Sequence, residues 1–276
     1  MALVFKKISV IGLGLIGTSI LHAINAKEDK DIVTLAYDIN PDHRDVVLKM
    51  NIASFVFSKI EDAIKDADLI ILSIPVGSMS DVAKLIAPFL KKYAVITDTG
   101  STKQSVIKDV TPHLPNNVYF IPSHPLAGTE YSGPKSGFGT LFENRYWLII
   151  SDKETKQTKQ LRSFFIKLGS LVETINMSYH DRILAITSHL PHLIAYTIVG
   201  TASDLETDLK NDVIKFSASG FRDFTRIASS DPIMWRDIFI HNSDAVLEML
   251  QRFNEDLSDL QKAIRKKDGE KLHSFF

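Results

Sequence analysis

Between Lys6 and about Thr174, short apolar runs alternate with stretches whose apolar residues recur at helical spacing. Residues 8–11, 33–38, 69–74, 94–97, 118–121, 147–150 and 171–174 are the predicted strands. Several are apolar without interruption, as strands covered on both faces are. Residues 81–90 and 156–168 predict helices between them, and such alternation builds a parallel sheet from βαβ units. After about Met177 the strands stop. Residues 179–204 predict a helix that Pro191 kinks or restarts. Asp231-Pro232 opens another helix, with Asp as N-cap and Pro at the first helical position. A long helix fills roughly 243–267, where Val246, Leu250, Phe253, Leu257, Leu260 and Ile264 step by 4, 3, 4, 3, 4. That heptad-like seam packs either on its own domain or on a partner chain. The pattern predicts an α/β fold: a doubly wound, mostly parallel sheet over residues 1–176, then an all-helical domain over 177–276. A cleft between two such halves is a natural ligand site.

The first apolar run carries a second signal. Lys6-Lys7 before residues 8–21 imitates the charged and apolar regions of a secretory leader. No Ala-x-Ala site follows, however, and the run is shorter than the roughly 20 residues that cross a bilayer. Its glycines explain it better, and a cytoplasmic protein is expected. Gly12-Leu13-Gly14-Leu15-Ile16-Gly17 fits G-x-G-x-x-G between a predicted strand and a predicted helix. Gly12 permits the tight turn, Gly14 lets the backbone reach a pyrophosphate, and Gly17 allows close helix–strand packing. The helix N-terminus offers N–H groups to the phosphates. Asp38 ends the second strand, 21 residues after Gly17. Its carboxylate suits ribose hydroxyls and repels a 2′-phosphate, which favours NAD over NADP. The alternative for Asp38 is a cap on the helix that starts at Pro41. With strand, glycines and acid in register, the first domain is predicted to be a Rossmann-type NAD-binding domain.

Composition narrows the remaining classes. A net charge of −1 over 276 residues gives no general pull on nucleic acid or anionic membrane. The absence of cysteine excludes a disulfide scaffold, a thiol nucleophile and Cys-ligated metal. His189 and His192 in His-Leu-Pro-His resemble a metal pair, but no third ligand accompanies them, and no metal is expected.

The run Ser123-His124-Pro125-Leu126-Ala127-Gly128-Thr129-Glu130-Tyr131-Ser132-Gly133-Pro134 follows a predicted strand, where α/β folds place their chemistry. On residues alone it holds a base, His124, and a carboxylate, Glu130, on one glycine-rich segment. This run resembles the signature of the prephenate/arogenate (cyclohexadienyl) dehydrogenase family. The segments Gly220-Phe221-Arg222-Asp223-Phe224-Thr225-Arg226-Ile227-Ala228 and Asp98-Thr99-Gly100-Ser101-Thr102-Lys103 resemble two further family motifs, Thr102 being a mild departure. The resemblance extends from about Lys6 to about Gly269.

It implies oxidative decarboxylation with NAD: prephenate to 4-hydroxyphenylpyruvate, or arogenate to tyrosine, with carbon dioxide and NADH, in tyrosine biosynthesis. By resemblance His124 is the catalytic base, Ser101 lies near the hydroxyl and nicotinamide, and Arg226 grips the side-chain carboxylate. Thr129, Glu130, His180, His192 and Asp223 join Arg226 in the substrate set, with Glu130 and Asp223 at the pocket mouth. Gly12, Gly14, Leu15, Ile16, Gly17, Asp38, Ser73, Pro75 and Ser101 form the cofactor set. Arg222, beside the motif, is read as solvated or structural. The family and the seam point to a homodimer, with no nucleic-acid or membrane partner. A two-domain 3-hydroxyacid dehydrogenase, or a non-catalytic NAD sensor, has no reason to carry His124, Ser101 and Arg226 together.

Overall fold

The computed structural model describes residues 4–27, 31–205, 212–213 and 215–276. Its main sheet contains β1 (Lys7–Ile11), β2 (Val33–Tyr37), β3 (Phe55–Phe57), β4 (Leu69–Leu72), β5 (Val95–Asp98) and β6 (Tyr119–Phe120). All pair in parallel, in the order β3-β2-β1-β4-β5-β6. The order reverses between β1 and β4, which opens a crevice beyond their carboxyl ends. Around the sheet lie α1 (Leu15–Asn25), α2 (Pro41–Met50), α3 (Ile60–Ile64), α4 (Met79–Ile86), α5 (Gln104–Val110) and α6 (Lys156–Lys167).

The uninterrupted apolar strands are buried on both faces because period-two side chains feed two separate cores. In β4, Leu69 and Ile71 join Ile8 and Val10 of β1, Ile20 and Leu21 of α1 and Phe164 of α6. Ile70 and Leu72 face the other way, onto Ala63 of α3, Met79 and Ala83 of α4 and Val106 of α5. Substituting a charge on either face would therefore bury it, at a cost few domains of this size survive.

Two features depart from the sequence reading. The short strand β3 was not predicted; it is a three-residue edge on β2. Residues 118–121 do not run as one strand into a loop. β6 ends at Phe120 and the chain resumes as β7 (Ser123–Pro125), antiparallel to β8 (Tyr146–Ile150) in a second sheet completed by the parallel strand β9 (Leu171–Ile175). Pro122 at the break has no N–H to give a ladder, and only its carbonyl is used, by the Ile150 N–H at 2.9 Å. The small sheet is anchored by Trp147, fully buried and stacked on Phe165 of α6 with ring centroids 3.9 Å apart. Its indole N–H donates to Ser123 Oγ at 3.0 Å.

The helical part begins with α7 (Met177–Leu184), a π turn (Ala185–His189) and α8 (Leu190–Ser203) in direct succession. Pro191 opens a new helix, as expected, after a π turn interrupts the stretch. It lies in the first turn of α8, and the wide turn before it takes up the lost proline hydrogen bond. Then come α9 (Ser219–Ala228), α10 (Pro232–His241), α11 (Ser243–Lys266) and α12 (Gly269–Phe275). Asp231 caps α10, accepting from the N–H groups of Ile233 at 2.8 Å and Met234 at 3.0 Å.

The chain forms two compact units that are not two contiguous segments. One comprises Met1–Asp181 with Ser229–His241, the other Arg182–Ala228 with Asn242–Phe276. In the second unit Ala245, Val246 and Ala263 of α11 are buried, while Leu257 and Ile264 of the seam are 51% and 62% exposed.

Candidate active site

The glycine-rich turn leaves β1 at the strand-order reversal. Gly12 has φ of +95°, and a Cβ there would lie 2.1 Å from the carbonyl oxygen of Ser73, just past β4. A Cβ on Gly17 would meet the Gly12 carbonyl oxygen at 1.9 Å, so α1 can approach the turn only without one. Gly14 differs: nothing lies within 4 Å of its would-be Cβ. The backbone there borders open space, which a side chain would fill, and no side chain caps α1. Unfilled first-turn N–H groups at a helix start are what a pyrophosphate takes. Leu15 and Ile16 stand half-buried in that first turn.

Asp38, at the end of β2, ties the turn together. Its Oδ2 accepts the Leu13 N–H at 2.7 Å and its Oδ1 the Asn40 N–H at 2.8 Å. The cap of α2 is Asn40, whose side chain accepts from Asp42 N–H, so Asp38 does not serve as that cap. Oδ2 also meets His43 Nδ1 at 3.2 Å, so the capacity left for a ribose hydroxyl is on Oδ1. These residues fit a dinucleotide: a cleared backbone, an uncapped helix start and an acid one strand away. Pro75 precedes the short 3-10 turn Val76–Ser78, and Ser101 lies half-buried on the turn after β5.

His124 lies on β7, 7% exposed, beside the end of β5. Ser123 before it is held on every polar atom: its Oγ meets Thr97 Oγ1 at 2.8 Å and donates to the Asp98 carbonyl at 2.8 Å, and its N–H donates to Asp98 Oδ1 at 3.2 Å. Its carbonyl accepts from Lys103 Nζ at 2.8 Å. Behind His124 runs a chain of three side chains. His124 Nδ1 lies 3.0 Å from His180 Nε2, and His180 Nδ1 lies 2.7 Å from Asp181 Oδ1. Asp181 also accepts the N–H of Lys103 at 2.8 Å and of Gln104 at 2.9 Å. Burial would raise the Asp181 carboxyl, but the His180 hydrogen bond and these backbone donors bring it below its ordinary value. Burial, above all, lowers the His180 imidazole, with Asp181 opposing and the Lys103 charge assisting.

These directions favour a neutral His180 beside an ionised Asp181. A neutral His180 donates from Nδ1 to the Asp181 carboxylate, so its Nε2 accepts from His124 Nδ1–H. In that proton order the His124 lone pair is on Nε2, which suits a base.

The second unit holds the other predicted substrate residues. His192 donates through Nδ1 to the Ser188 carbonyl at 2.8 Å, and burial, chiefly, together with the nearby Arg226 charge, lowers its pKa. Arg226, on α9, pairs with Asp223 at 3.7 Å across one helical turn, and both are more than half exposed. Arg222 is exposed, in keeping with a solvated residue. His189 is buried, with Nδ1 3.0 Å from Asn242 Nδ2. Among the described residues no three potential metal ligands come together.

A model for the nucleotide-binding domain of prephenate dehydrogenase matches residues 22–174, and one for its dimerization domain matches residues 176–276. A cyclohexadienyl dehydrogenase of Zymomonas mobilis is 41% identical over 275 residues, covering 99% of this chain and 93% of the relative. The chain belongs to the prephenate dehydrogenase family. A prephenate dehydrogenase of Lactococcus lactis is 33% identical, over 98% of this chain and 75% of its own. A crystal structure of prephenate dehydrogenase from A. aeolicus, in complex with hydroxyphenyl propionate and NAD+, superposes with a TM-score of 0.90 at 30% identity, covering 100% and 96% of the two chains. Like its family, this prephenate dehydrogenase homologue is an NAD-dependent oxidoreductase.

Within that family frame, His180 differs from its expected place. It was expected to face a pocket; it is fully buried in the first unit and touches His124 and Asp181. The reason is its place near the start of α7, which sets it behind β7. Glu130 is half-buried and Thr129 exposed on the segment after β7, with the Thr129 hydroxyl accepting the Tyr131 N–H at 3.3 Å. Asp181 escaped sequence reasoning, and Asp98 and Lys103, quoted there only as the ends of a family-like motif, were given no role. Those two bracket the Asp-x-Gly-Ser-x-Lys turn and were visible as charges flanking a buried strand. Asp181 carried no local signal, because only the fold brings its helix to the start of α5.

Proposed function

We propose that this chain oxidatively decarboxylates prephenate, arogenate or both, with His124 Nε2 as the base that takes the ring hydroxyl proton. The observation that supports the reading is the His124–His180–Asp181 chain of contacts at 3.0 and 2.7 Å behind the imidazole, an arrangement suited to holding Nε2 as the acceptor. Bound NAD supplies the acceptor for the hydride leaving the ring carbon. Gly14, Leu15, Ile16 and Gly17 hold its phosphates by backbone, Asp38 its adenosine ribose, and Ser73, Pro75 and Ser101 border the nicotinamide end. While His124 Nε2 holds the hydroxyl proton, the electron pair of the breaking ring-carbon–carboxylate bond flows toward the new ring carbonyl and carbon dioxide leaves; the ring aromatises as a phenolate that takes the proton back from His124, so no residue need stabilise a long-lived carbanion. Arg226 binds the side-chain carboxylate through a planar guanidinium fork suited to two oxygens, with His192, whose imidazole pKa is lowered chiefly by burial, close to its charge. Thr129, Glu130 and Asp223 complete the substrate set, the two acids controlling entry.

Residues 1–176 serve chiefly the dinucleotide, with His124, Thr129 and Glu130 reaching the substrate, and 177–276 supply further substrate residues and the assembly. The assembly is a homodimer, supported by the exposed seam residues Leu257 and Ile264 within a segment matching a dimerization domain. A cytoplasmic location is supported by the N-terminal apolar run, which is consumed as β1, the glycine turn and α1. Mixing the protein with NAD and prephenate, or arogenate, and following NADH absorbance tests the reading. NADH with either substrate supports it; none with both refutes it.

A further inference from the structure

Lys103 is a lysine with no exposure at all, and its ammonium forms an ion pair with the equally buried Asp98. A buried charge of this kind costs more than it returns unless something depends on it. Its contacts are specific. The ammonium also donates to the carbonyl of Ser123, the residue immediately before His124, at 2.8 Å. The Lys103 backbone N–H donates to Asp181, the far end of the chain behind His124, at 2.8 Å. One residue thus grips both ends of the arrangement that presents the imidazole.

We infer that Lys103 is a positioning residue for His124: it fixes the strand residue before the imidazole and the carboxylate behind it, and its charge keeps the His124–His180–Asp181 chain in the proton arrangement that leaves Nε2 a base. The inference rests on the reading of His124 as that base. The physical argument concerns His180. A second proton on this ring would turn Nε2 from acceptor to donor, drive the His124 proton to its own Nε2 and abolish the base. Among the described residues, the charged and titratable groups acting on His180 are Asp181 on its own helix, Lys103 before α5, Asp98 at the end of β5 and His124 on β7. The two carboxylates favour that second proton. Lys103 and burial oppose it, and Lys103 is the one cation of the set.

The test is the pH dependence of kcat/KM for Lys103→Met, Lys103→Gln and Asp181→Asn, with NAD and prephenate. All three should lower kcat by about tenfold or more, as loss of a group that sets a catalytic histidine's tautomer does. The acid limb should move up by about one pH unit without the cation and down by a similar amount without the Asp181 carboxylate. Opposite displacements support the inference. Unmoved limbs, or displacement in one direction for both sites, overturn it, since a purely structural role lowers the whole profile without moving it. Lys103→Gln keeps a donor for Asp98 and Ser123 and stands in if Lys103→Met does not fold. If neither folds, Lys103 is a residue of stability rather than of positioning and the inference is overturned, Asp181→Asn serving as the control that the acid limb reports the His180 proton. His124→Asn beside them separates two failures. Retained activity there overturns the base itself, whereas an inactive His124→Asn with unmoved limbs overturns only the role of Lys103.

Discussion

The Asp38 carboxylate anchors the Leu13 and Asn40 N–H groups, and the proposed reading gives it a ribose as well. Asp38→Ser should therefore narrow the preference for NAD over NADP and also weaken NAD itself. The Leu13 N–H would lose its acceptor, an effect of about 1–3 kcal/mol. Equal kcat/KM for both cofactors in the unaltered protein would contradict the assignment. Arg226 calls for a different outcome. The carboxylate it would hold is distant from the reacting carbon and equally charged throughout, so its binding is nearly uniform between ground and transition states. Arg226→Ala should raise KM by about 10- to 150-fold, the worth of a charge-assisted pair, with kcat little changed. Its ion pair with Asp223, more than half exposed on both sides, adds little to stability, so the variant should melt normally.

The elements show what a sequence reveals and what it conceals. β1, the glycine turn, α1 and β2 were legible because each carries a local rule: strand, positive φ, close approach, terminal acid. The break at Pro122 was harder, since a run of mixed apolar residues reads as one strand until the second sheet supplies a partner for β7. His180 shows the limit, as its resemblance to a pocket residue said nothing of the depth at which α7 is packed. That depth has a consequence for stability. His180 is kept neutral by burial, so the unfolded chain, with an ordinary value of 6.5, binds more protons than the native one below that pH. Stability contributed by the neutral ring is fully present above about 6.5 and is lost as pH falls from there. Asp181, depressed from 3.8, adds stability that persists above that value and is lost further into acid. The unaltered protein should lose more Tm than His180→Gln between pH about 7.5 and about 5.5. Equal losses, followed by calorimetry, would contradict a neutral buried His180.

At the scale of the whole molecule, α11 buries Ala245, Val246 and Ala263 but leaves Leu257 and Ile264 of its seam exposed. In a dimer Leu257 becomes buried, and Leu257→Lys would then bury an unpaired ammonium, which is costly enough to separate the subunits. Light scattering should give twice the 30.9 kDa chain mass for the unaltered protein and the single mass for the variant. A monomer at micromolar concentration would make the seam a feature of one chain only. The central claim, however, is that the whole fold presents one imidazole nitrogen as a base, and a single measurement bears on it most directly: kcat of His124→Asn with saturating NAD and prephenate, in a protein whose Tm and NAD affinity are unchanged. A positioned base is worth about 10²–10⁴-fold, so kcat should fall by that factor with KM little altered. A His124→Asn protein that keeps most of its kcat would contradict the account.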